Sequence, residues 1–318
     1  MNLQQLRYLC TVVDQDFNVS QAARSLHTTQ PGISKQIRLL ERELGVELLV
    51  RRGNRIVSIT DPGRAAVDIA TRVVQDIANL KTLGEEFTTS ARGRLAVAST
   101  HVHARYWLLP VIVQFGKRFP NVQLKILRGT TTQVVGMVQS GEAQIGVCTL
   151  PEENADDLLL LPCHKVERAV LVPPKHPLLR KRRITLADLA HYPLIIQTAA
   201  SSGGWTVLQA FEAQGLRPNV VLEVVDATMA KACVEQNIGV TVLPFRVFDR
   251  KRDVNLRAIN ASHLFAPLEI HTVIHKNSYL RSYANEFIHM FAPDWNEQAI
   301  ESLRHTTRAR NRIVFRGK

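Results

Sequence analysis

The sequence lacks the hydrophobic runs that membrane and exported proteins need. No stretch of about 18 consecutive apolar residues occurs, so no membrane-spanning helix is expected. The first ten residues, MNLQQLRYLC, carry Gln and Arg within their apolar spacing and do not resemble the apolar core of a signal peptide. We therefore predict a cytoplasmic protein without a membrane partner.

Cysteine and the common catalytic motifs are also scarce. The four cysteines are far apart and form no C-x-x-C pair, which is typical of reduced, mostly buried thiols. G-x-S-x-G, Walker A and G-x-G-x-x-G motifs are absent. His101 and His103 could supply two metal ligands, but no third ligand candidate is clustered with them. We expect no catalytic residue, metal or cofactor, and we interpret Cys148 as a buried thiol.

Acidic residues are the minority charge, with 28 Asp and Glu against 40 Lys and Arg and a net charge of +12. Residues 1–90 contain 11 basic and 10 acidic side chains, whereas residues 301–318 contain 6 and 1. A further basic run spans residues 180–183. Bulk charge therefore does not locate a nucleic-acid site, and local placement has to do so.

The first sixty residues have the apolar spacing of three short helices. A first helix is expected over about residues 3–14, and Ser20 is expected to cap the second. In the third helix Thr29 is the expected N-cap, Pro31 suits the first turn, and Gly45 ends the helix. Its buried stripe, with spacings of 4, 3 and 4, consists of Ile33, Ile37, Leu40 and Leu44.

Polar and basic residues lie off that stripe, on the expected outer face of the third helix. Ser34, Lys35 and Arg38 occupy its N-terminal half, where a recognition helix meets base edges and phosphates. The segment LLVRRGNRIVSIT follows and predicts a basic hairpin. Together these features predict a winged helix-turn-helix, with an ordinary solvated helical hairpin as the alternative.

Residues 18–53 resemble the N-terminal domain of LysR-type transcriptional regulators. The family pattern A-A-x-x-L-x-x-[ST]-Q-[PS]-x-[VI]-S-x-Q-I-x-x-L-E is matched from Ala22 to Glu41. The resemblance implies that a double-stranded DNA operator binds the third helix in its major groove and the wing arginines on its backbone. The implied DNA-binding residues are Gln30, Pro31, Ser34, Lys35, Arg38, Arg51, Arg52 and Arg55.

A long amphipathic helix is predicted from Pro62 to about Phe87. Its apolar stripe suits packing on a partner helix, with packing inside one monomer as the alternative. The family resemblance favours a dimerisation helix and implies a homodimer or homotetramer, with RNA polymerase as a further partner. The segment 88–93 is interpreted as a hinge. The stripe consists of Ala66, Ile69, Val73, Ile77, Leu80 and Leu83.

The remaining two hundred residues alternate predicted strands with predicted helices, which is typical of an α/β fold. Hydroxyl side chains follow several predicted strands, as in RLAVAST and AQIGVCT. Hydroxyl groups at the carboxyl ends of parallel strands, beside helix N-termini, suit a small anion. Each hydroxyl alone could be a simple helix cap, but two such units facing one another predict a ligand cleft.

LysR-type regulators carry such a two-lobed effector domain, similar to periplasmic binding proteins. The chain resembles the CysB- and Cbl-like branch, which responds to sulfur supply, in MNLQQLRYL, LLPCHKVERAVLVPPKHPL and SYLRSYANEFIHMFAP. The resemblance implies ligand contacts by Thr100, His101, Thr132, Gln133, Thr149 and Ser202. His103 and Thr228 join these candidates, the first as an added imidazole and the second after a strand of the second lobe.

Four positions depart from the pattern of that branch. Val102 and His103 replace Thr and Gln, Val166 replaces Trp, and Ser202 replaces Thr. The pocket is thereby expected to lose an aromatic wall and a hydroxyl and to gain an imidazole, whose protonation would favour an anion. The expected effector is a small anion or acylated amino acid, such as sulfate, O-acetylserine or N-acetylserine, with another anionic metabolite as the alternative.

The expected domains are a winged helix-turn-helix over 1–60, a linker over 61–92, an effector-binding domain over 93–300 and a basic tail over 301–318. Within the effector domain, lobe I comprises about 93–163 and 268–293, and lobe II about 164–267. An enzyme with a two-lobed cleft and an exported solute-binding protein are the rival interpretations. The second would leave the first sixty residues unexplained.

Overall fold

The computed structural model describes residues 1–53, 55–88, 93–149, 157–198 and 202–314. The chain divides into two compact units, residues 1–89 with 277–279 and residues 90–276 with 280–318. None of the helices in the described ranges combines the length and apolar character that a membrane crossing needs. Most of the predicted hinge, residues 89–92, lies outside the described residues.

The first unit is helical with a small hairpin, as predicted. Thr29 caps α3 by accepting a hydrogen bond from the Gly32 amide, and Gly45 ends α3 in the left-handed region at φ 71°. Asn18 caps α2, so the prediction of Ser20 as the cap is wrong; Ser20 lies inside the helix. The elements are α1 (Leu3–Asp14), α2 (Val19–Ser25), α3 (Gln30–Leu44), β1 (Leu49–Arg52), β2 (Arg55–Ile59) and α4 (Asp61–Thr88).

The core of the first unit forms where α1, α2 and α3 meet the hairpin and α4. Ile33, Ile37 and Leu40 of the predicted stripe are fully buried, with Leu9 of α1 against them. Leu44, the last residue of that stripe, is instead exposed, because α3 ends there and the chain turns toward the wing. Three buried residues of one helix face are enough to fix α3 on α1 and leave its other face to solvent.

The second unit contains two mixed five-stranded sheets. The first sheet has the order β4-β3-β5-β12-β6 and the second the order β11-β7-β10-β8-β9. The strands are β3 (Gly93–Ser99), β4 (Val122–Arg128), β5 (Ile145–Thr149), β6 (Leu158–Val166), β7 (Arg168–Val172), β8 (Leu194–Gln197), β9 (Val220–Val224), β10 (Val240–Pro244), β11 (Arg257–Asn260) and β12 (Leu268–His275).

Helices cover the faces of these sheets and bury a separate core on each. A π-helical stretch, Ala104–Leu108, links α5 to α6. The helices are α5 (His101–His103), α6 (Leu109–Arg118), α7 (Thr131–Gln139), α8 (Leu186–Ala190), α9 (Ser202–Glu212), α10 (Ala227–Glu235), α11 (Ser282–Phe291) and α12 (Glu297–Val314). The predicted basic tail is therefore helical up to Val314, and residues 315–318 lie outside the described residues.

The two sheets give the second unit two lobes, and the chain crosses between them twice. The first crossing follows β6, which belongs to the first sheet up to Val166, and the second precedes β12, which begins at Leu268. The first crossing therefore lies a few residues beyond the predicted boundary at 163. Because β3, β4 and β5 run parallel, their carboxyl ends meet at one edge.

Candidate functional site

The outer face of α3 presents most of the side chains that the sequence predicts for DNA contact. Gln30, Pro31, Lys35 and Arg38 are exposed and Ser34 is half-buried. The Ser20 hydroxyl donates a hydrogen bond to Gln30 Oε1 at 3.2 Å. That bond links α2 to the first residue of α3 on the same outer surface.

The wing presents two further arginines beside each other. Arg52 and Arg55 are exposed and pair directly across the β1–β2 hairpin. Two like charges at directly opposed positions of a hairpin repel each other, and a phosphate group would relieve that repulsion. This arrangement fits contact with a nucleic-acid backbone better than a purely structural hairpin tip.

Arg51, in contrast, is committed to an ion pair inside the first unit. Its Nη2 and Nη1 lie 2.8 and 3.1 Å from the two carboxylate oxygens of Glu41, which is buried. Glu41 Oε1 also accepts hydrogen bonds from the Leu48 and Leu49 amides at 3.0 and 3.1 Å. The structure thus gives Arg51 a role in holding the wing against α3, and its contact with DNA stays a prediction.

A cavity of about 420 Å³ lies between the two lobes of the second unit. The wall of the cavity is formed by segments that follow strands of both lobes, by the last residue of β6 and by the first residue of β12. It is lined by Thr100, His101, Val102, His103, Arg128, Gly129, Thr130, Thr131, Gln133, Thr149, Val166, Arg168, Gln197, Thr198, Gly203, Val225, Asp226, Pro244 and Leu268.

Five of the eight predicted effector residues are among these lining residues: Thr100, His101, His103, Gln133 and Thr149. Thr132 is exposed and outside the lining; Thr130 caps α7 and the Thr131 hydroxyl donates to the Thr149 carbonyl at 3.3 Å. Thr228 is also exposed and outside the lining, whereas Asp226, the N-cap of α10, lines the cavity. The side chain of Ser202 lies outside the described part of the chain, whereas its neighbour Gly203 lines the cavity.

The electrostatics of the cavity favour a negative ligand. Helices α7, α9 and α10 begin at its edge, and their amide groups carry partial positive charge. Arg128 and Arg168 add two full charges, against the single lining carboxylate of Asp226. The pKa of Asp226 is lowered chiefly by the hydrogen bond from the Met229 amide, so this carboxylate is ionised and occupied by its own helix.

Arg168 is a buried lining residue that the sequence analysis does not single out. It is 2% exposed, and its Nη1 donates to the Gly203 carbonyl at 3.4 Å. Its Nε and Nη2 have no hydrogen-bond partner within the described residues. Burial lowers its pKa to about 10, so the guanidinium remains charged at neutral pH. The sequence offers only a weak signal, because Arg168 starts the apolar run RAVLV but follows Glu167 and Lys165 and so resembles part of a solvated charged segment.

His103 is a buried, neutral group at the cavity wall. Its Nδ1 lies 2.8 Å from the Thr100 hydroxyl, and its ring stands edge-on to Trp107 at 5.6 Å. Burial lowers the pKa of His103 to about 4. The imidazole is therefore neutral near neutral pH, so that protonation of His103 would add a charge for an anion only under acidic conditions.

The other candidate reactive groups have structural surroundings. Cys148 is fully buried in β5, and burial raises the pKa of its thiol to about 12, as expected of a structural cysteine. Within the described ranges, no group of three or more His, Cys, Asp or Glu side chains could hold a metal ion. His101 and His103 thus stand without a third ligand there.

Comparison with protein families accounts for both units. Residues 3–64 match the family described as bacterial regulatory helix-turn-helix protein, lysR family. Residues 88–295, which hold the whole cavity, match the LysR substrate binding domain. This chain belongs to the LysR family of transcriptional regulators.

Curated relatives place this LysR-type chain among named regulators. The transcriptional regulators CysB and SsuR of Burkholderia cenocepacia are 40% and 38% identical to it, covering 95% of this chain and 96% and 98% of their own lengths. The regulator cbl of Klebsiella aerogenes is 33% identical, covering 91% of this chain and 92% of its own length. These relatives are regulators and not enzymes, so the enzyme interpretation is dropped.

Solved structures agree with the fold of the LysR-type chain. The cofactor-binding domain of the Cbl transcriptional regulator has a TM-score of 0.64 at 28% identity, covering 68% of this chain and 94% of that one. A full-length OxyR variant from Pseudomonas aeruginosa has a TM-score of 0.65 over 97% of this chain. The predicted fold, a winged helix-turn-helix followed by a two-lobed α/β effector domain, is confirmed. LysR regulators bind DNA and small-molecule effectors and form oligomers.

Proposed function

We propose that this LysR-type regulator controls genes of sulfur assimilation, including cysteine or sulfonate metabolism, in response to a small anionic or acylated amino-acid metabolite. The candidates are sulfate, O-acetylserine and N-acetylserine. The similarity to CysB, SsuR and cbl over more than nine-tenths of the chain supports the pathway. The observation that supports an anionic effector is the charge of the cavity. Three helix N-termini and two arginines lie at its wall, and Asp226 is the single carboxylate among the lining residues.

The proposed DNA site is the outer face of α3 with the tip of the wing. Gln30 and Ser34 are assigned to base edges, and Lys35, Arg38, Arg52 and Arg55 to phosphates, with Pro31 shaping the first turn. Two copies of residues 1–60, joined through the 61–92 linker, would dock on successive major grooves. A homodimer or homotetramer that contacts RNA polymerase in the cytoplasm completes the proposal.

The effector proposal is tested by titration calorimetry of the full chain with sulfate, O-acetyl-L-serine and N-acetyl-L-serine. Two adjacent threonines provide a matched pair of variants, since Thr131 lines the cavity and Thr132 faces solvent on the same turn of α7. Thr131→Val should weaken binding about 5- to 10-fold through loss of one hydroxyl, and Thr132→Val should leave it unchanged.

Two results would count against the proposal. If a folded wild-type chain binds none of the three ligands, the sulfur assignment fails, and a different anionic effector of a LysR-type regulator becomes the better reading. Equal affinities of the Thr131 and Thr132 variants would show that the ligand occupies another place.

A further inference from the structure

The guanidinium of Arg168 in the cavity can select which chemical group a ligand must carry. This inference rests on the proposed function of the cavity as the effector site. Arg168 is nine-tenths or more buried and charged, yet two of its three nitrogens lack hydrogen-bond partners among the described residues. Leaving donors of a buried charge unpaired is strongly unfavourable. A folded protein that retains such a group usually supplies the missing acceptors from a ligand.

The two unpaired nitrogens form a defined recognition edge. Nε and Nη2 lie on the same side of the planar guanidinium, and their N–H bonds run parallel. This edge matches two oxygens of one carboxylate, sulfonate or sulfate group, which accept both bonds at once. Nη1 is held by the Gly203 carbonyl at the start of α9, and the Phe265 ring lies 5.9 Å from the guanidinium carbon. These two contacts fix the plane of the guanidinium while leaving its Nε–Nη2 edge available.

The strand arrangement explains why this edge meets the cavity. Arg168 begins β7, which is antiparallel to β10, so it pairs with Pro244 at the end of β10. Both residues line the cavity, beside Gln197, the last residue of β8, and Thr198, which follows it. The Arg168 amide donates to the Ser262 hydroxyl at 2.9 Å, which anchors the backbone of this first residue. The guanidinium is therefore a rigid group of lobe II at the cavity wall.

We infer that Arg168 is the anchor for the ligand's oxyanion, holding two oxygens of a carboxylate, sulfonate or sulfate group side-on through Nε and Nη2. Nε and Nη2 of Arg168 have no hydrogen-bond partner among the described residues, so binding of the ligand breaks no protein hydrogen bond at this edge. A ligand whose acid is esterified or amidated loses one acceptor and its charge, and it is rejected. Arg128, which is exposed at the same cavity, attracts anions without providing this rigid edge.

The ligand arm of the test compares Arg168→Gln, Arg168→Lys and the control Arg128→Gln by calorimetry of the full chain. With sulfate, O-acetyl-L-serine or N-acetyl-L-serine, whichever binds wild type, Arg168→Gln should lose about 100-fold or more in affinity through two charged hydrogen bonds. Arg168→Lys should not restore it, because an ammonium offers no parallel pair of N–H bonds. Arg128→Gln should lose less than about 10-fold in ligand affinity. High salt should abolish the difference in affinity between this variant and wild type, because the charge of an exposed arginine is screened.

The stability arm needs no knowledge of the ligand. Without ligand, Arg168→Met should melt at the same temperature as wild type or higher, because it removes an unpaired buried charge while keeping most of the volume. A Tm lowered by about 4 °C or more would make Arg168 a packing residue and overturn the inference.

The outcomes separate the inference from the proposed function. Equal affinity of wild type and Arg168→Gln for any of the three ligands would overturn the anchor and leave the sulfur proposal standing. If wild type binds none of them, the sulfur proposal fails alone, and formate and methanesulfonate serve as the simplest carboxylate and sulfonate probes. A rise in Tm with these probes in wild type but not in Arg168→Gln supports the anchor, whereas equal shifts, including none, contradict it.

Discussion

Single residues of α3 and the wing are expected to contribute to DNA binding in two separable ways. Gln30→Ala and Ser34→Ala should change sequence preference and cost about 1–3 kcal/mol on the preferred duplex, because base-edge hydrogen bonds are lost. Arg52→Ala should weaken binding to all duplexes alike and reduce the salt slope by about 1, because one phosphate contact is lost.

Fluorescence anisotropy, with a duplex selected from random DNA and a scrambled duplex of equal length, measures both effects. Arg42→Ala is the matched control, since Arg42 is exposed on the last turn of α3, away from the residues assigned to bases. Wild-type affinity of Gln30→Ala and Ser34→Ala for both duplexes would show that α3 does not read the sequence.

His103 gives the protein a pH-dependent stability of known sign. Its pKa falls from 6.5 to about 4 on folding, because burial disfavours the charged ring. The unfolded chain therefore takes up a proton below about 6.5, and the folded chain only below about 4. The free energy of unfolding should decrease by about 3 kcal/mol as the pH falls through this window, and the contribution is fully present above it.

Urea unfolding between pH about 4 and about 7 measures this slope. His103→Asn should reduce the slope, because an amide near Thr100 does not titrate. His289→Asn, at an exposed position of α11, should retain the wild-type slope. Identical slopes in the two variants would mean that folding does not shift the pKa of His103, which would contradict the prediction.

At the scale of elements, the helical periodicity and the local hairpin β1–β2 were predictable, whereas the antiparallel pairing of β7 with β10, which are far apart in the sequence, was not. The stripe of Ile33, Ile37 and Leu40 and the caps at Thr29 and Gly45 follow from local chemistry, and the structure has them. Arg168 was missed because the sequence analysis looked for ligand contacts only after the carboxyl ends of strands. Since β7 runs antiparallel to β10, its first residue, Arg168, lies at the same edge as the carboxyl end of β10. Strand direction depends on long-range pairing, which no local pattern encodes.

Helix α4 carries an apolar face that the described residues of the first unit leave exposed. Ala70 is buried in the core, whereas Ile69, Val73 and Leu80 are 54%, 37% and 66% exposed. Spacings of 4 and 7 place these three on one face, so a partner helix would bury them. Val73→Glu should dissociate the oligomer, because the partner surface would have to accommodate a desolvated carboxylate.

Light-scattering mass measurement of the full chain decides this prediction. Asp68→Lys is the control, because it changes the charge of α4 on a different, exposed face. A Val73→Glu chain that keeps both its wild-type mass and its helical circular dichroism would remove this face of α4 from the interface.

At the scale of the whole molecule, the two units should be coupled energetically if the cavity regulates DNA binding. The family match assigns DNA binding to residues 3–64 and ligand binding to residues 88–295. By linkage, a ligand that changes DNA affinity by a given factor must have its own affinity changed by DNA by the same factor, typically about 5- to 150-fold. The ligand cannot change the DNA affinity without DNA changing the ligand affinity by the same factor. Two independent titrations therefore measure the same coupling factor.

The full chain should be titrated with duplex at zero and saturating ligand, and with ligand at zero and saturating duplex. The two factors should agree, and they should be lost together in Arg168→Gln, which should keep the DNA affinity of the ligand-free chain. Arg52→Ala should do the reverse, since it weakens DNA binding while keeping the ligand affinity of the free chain. If saturating ligand leaves the affinity for the selected duplex unchanged, the cavity binds its ligand without regulating this DNA contact, and the effector would have to act on a later step, after the operator is bound.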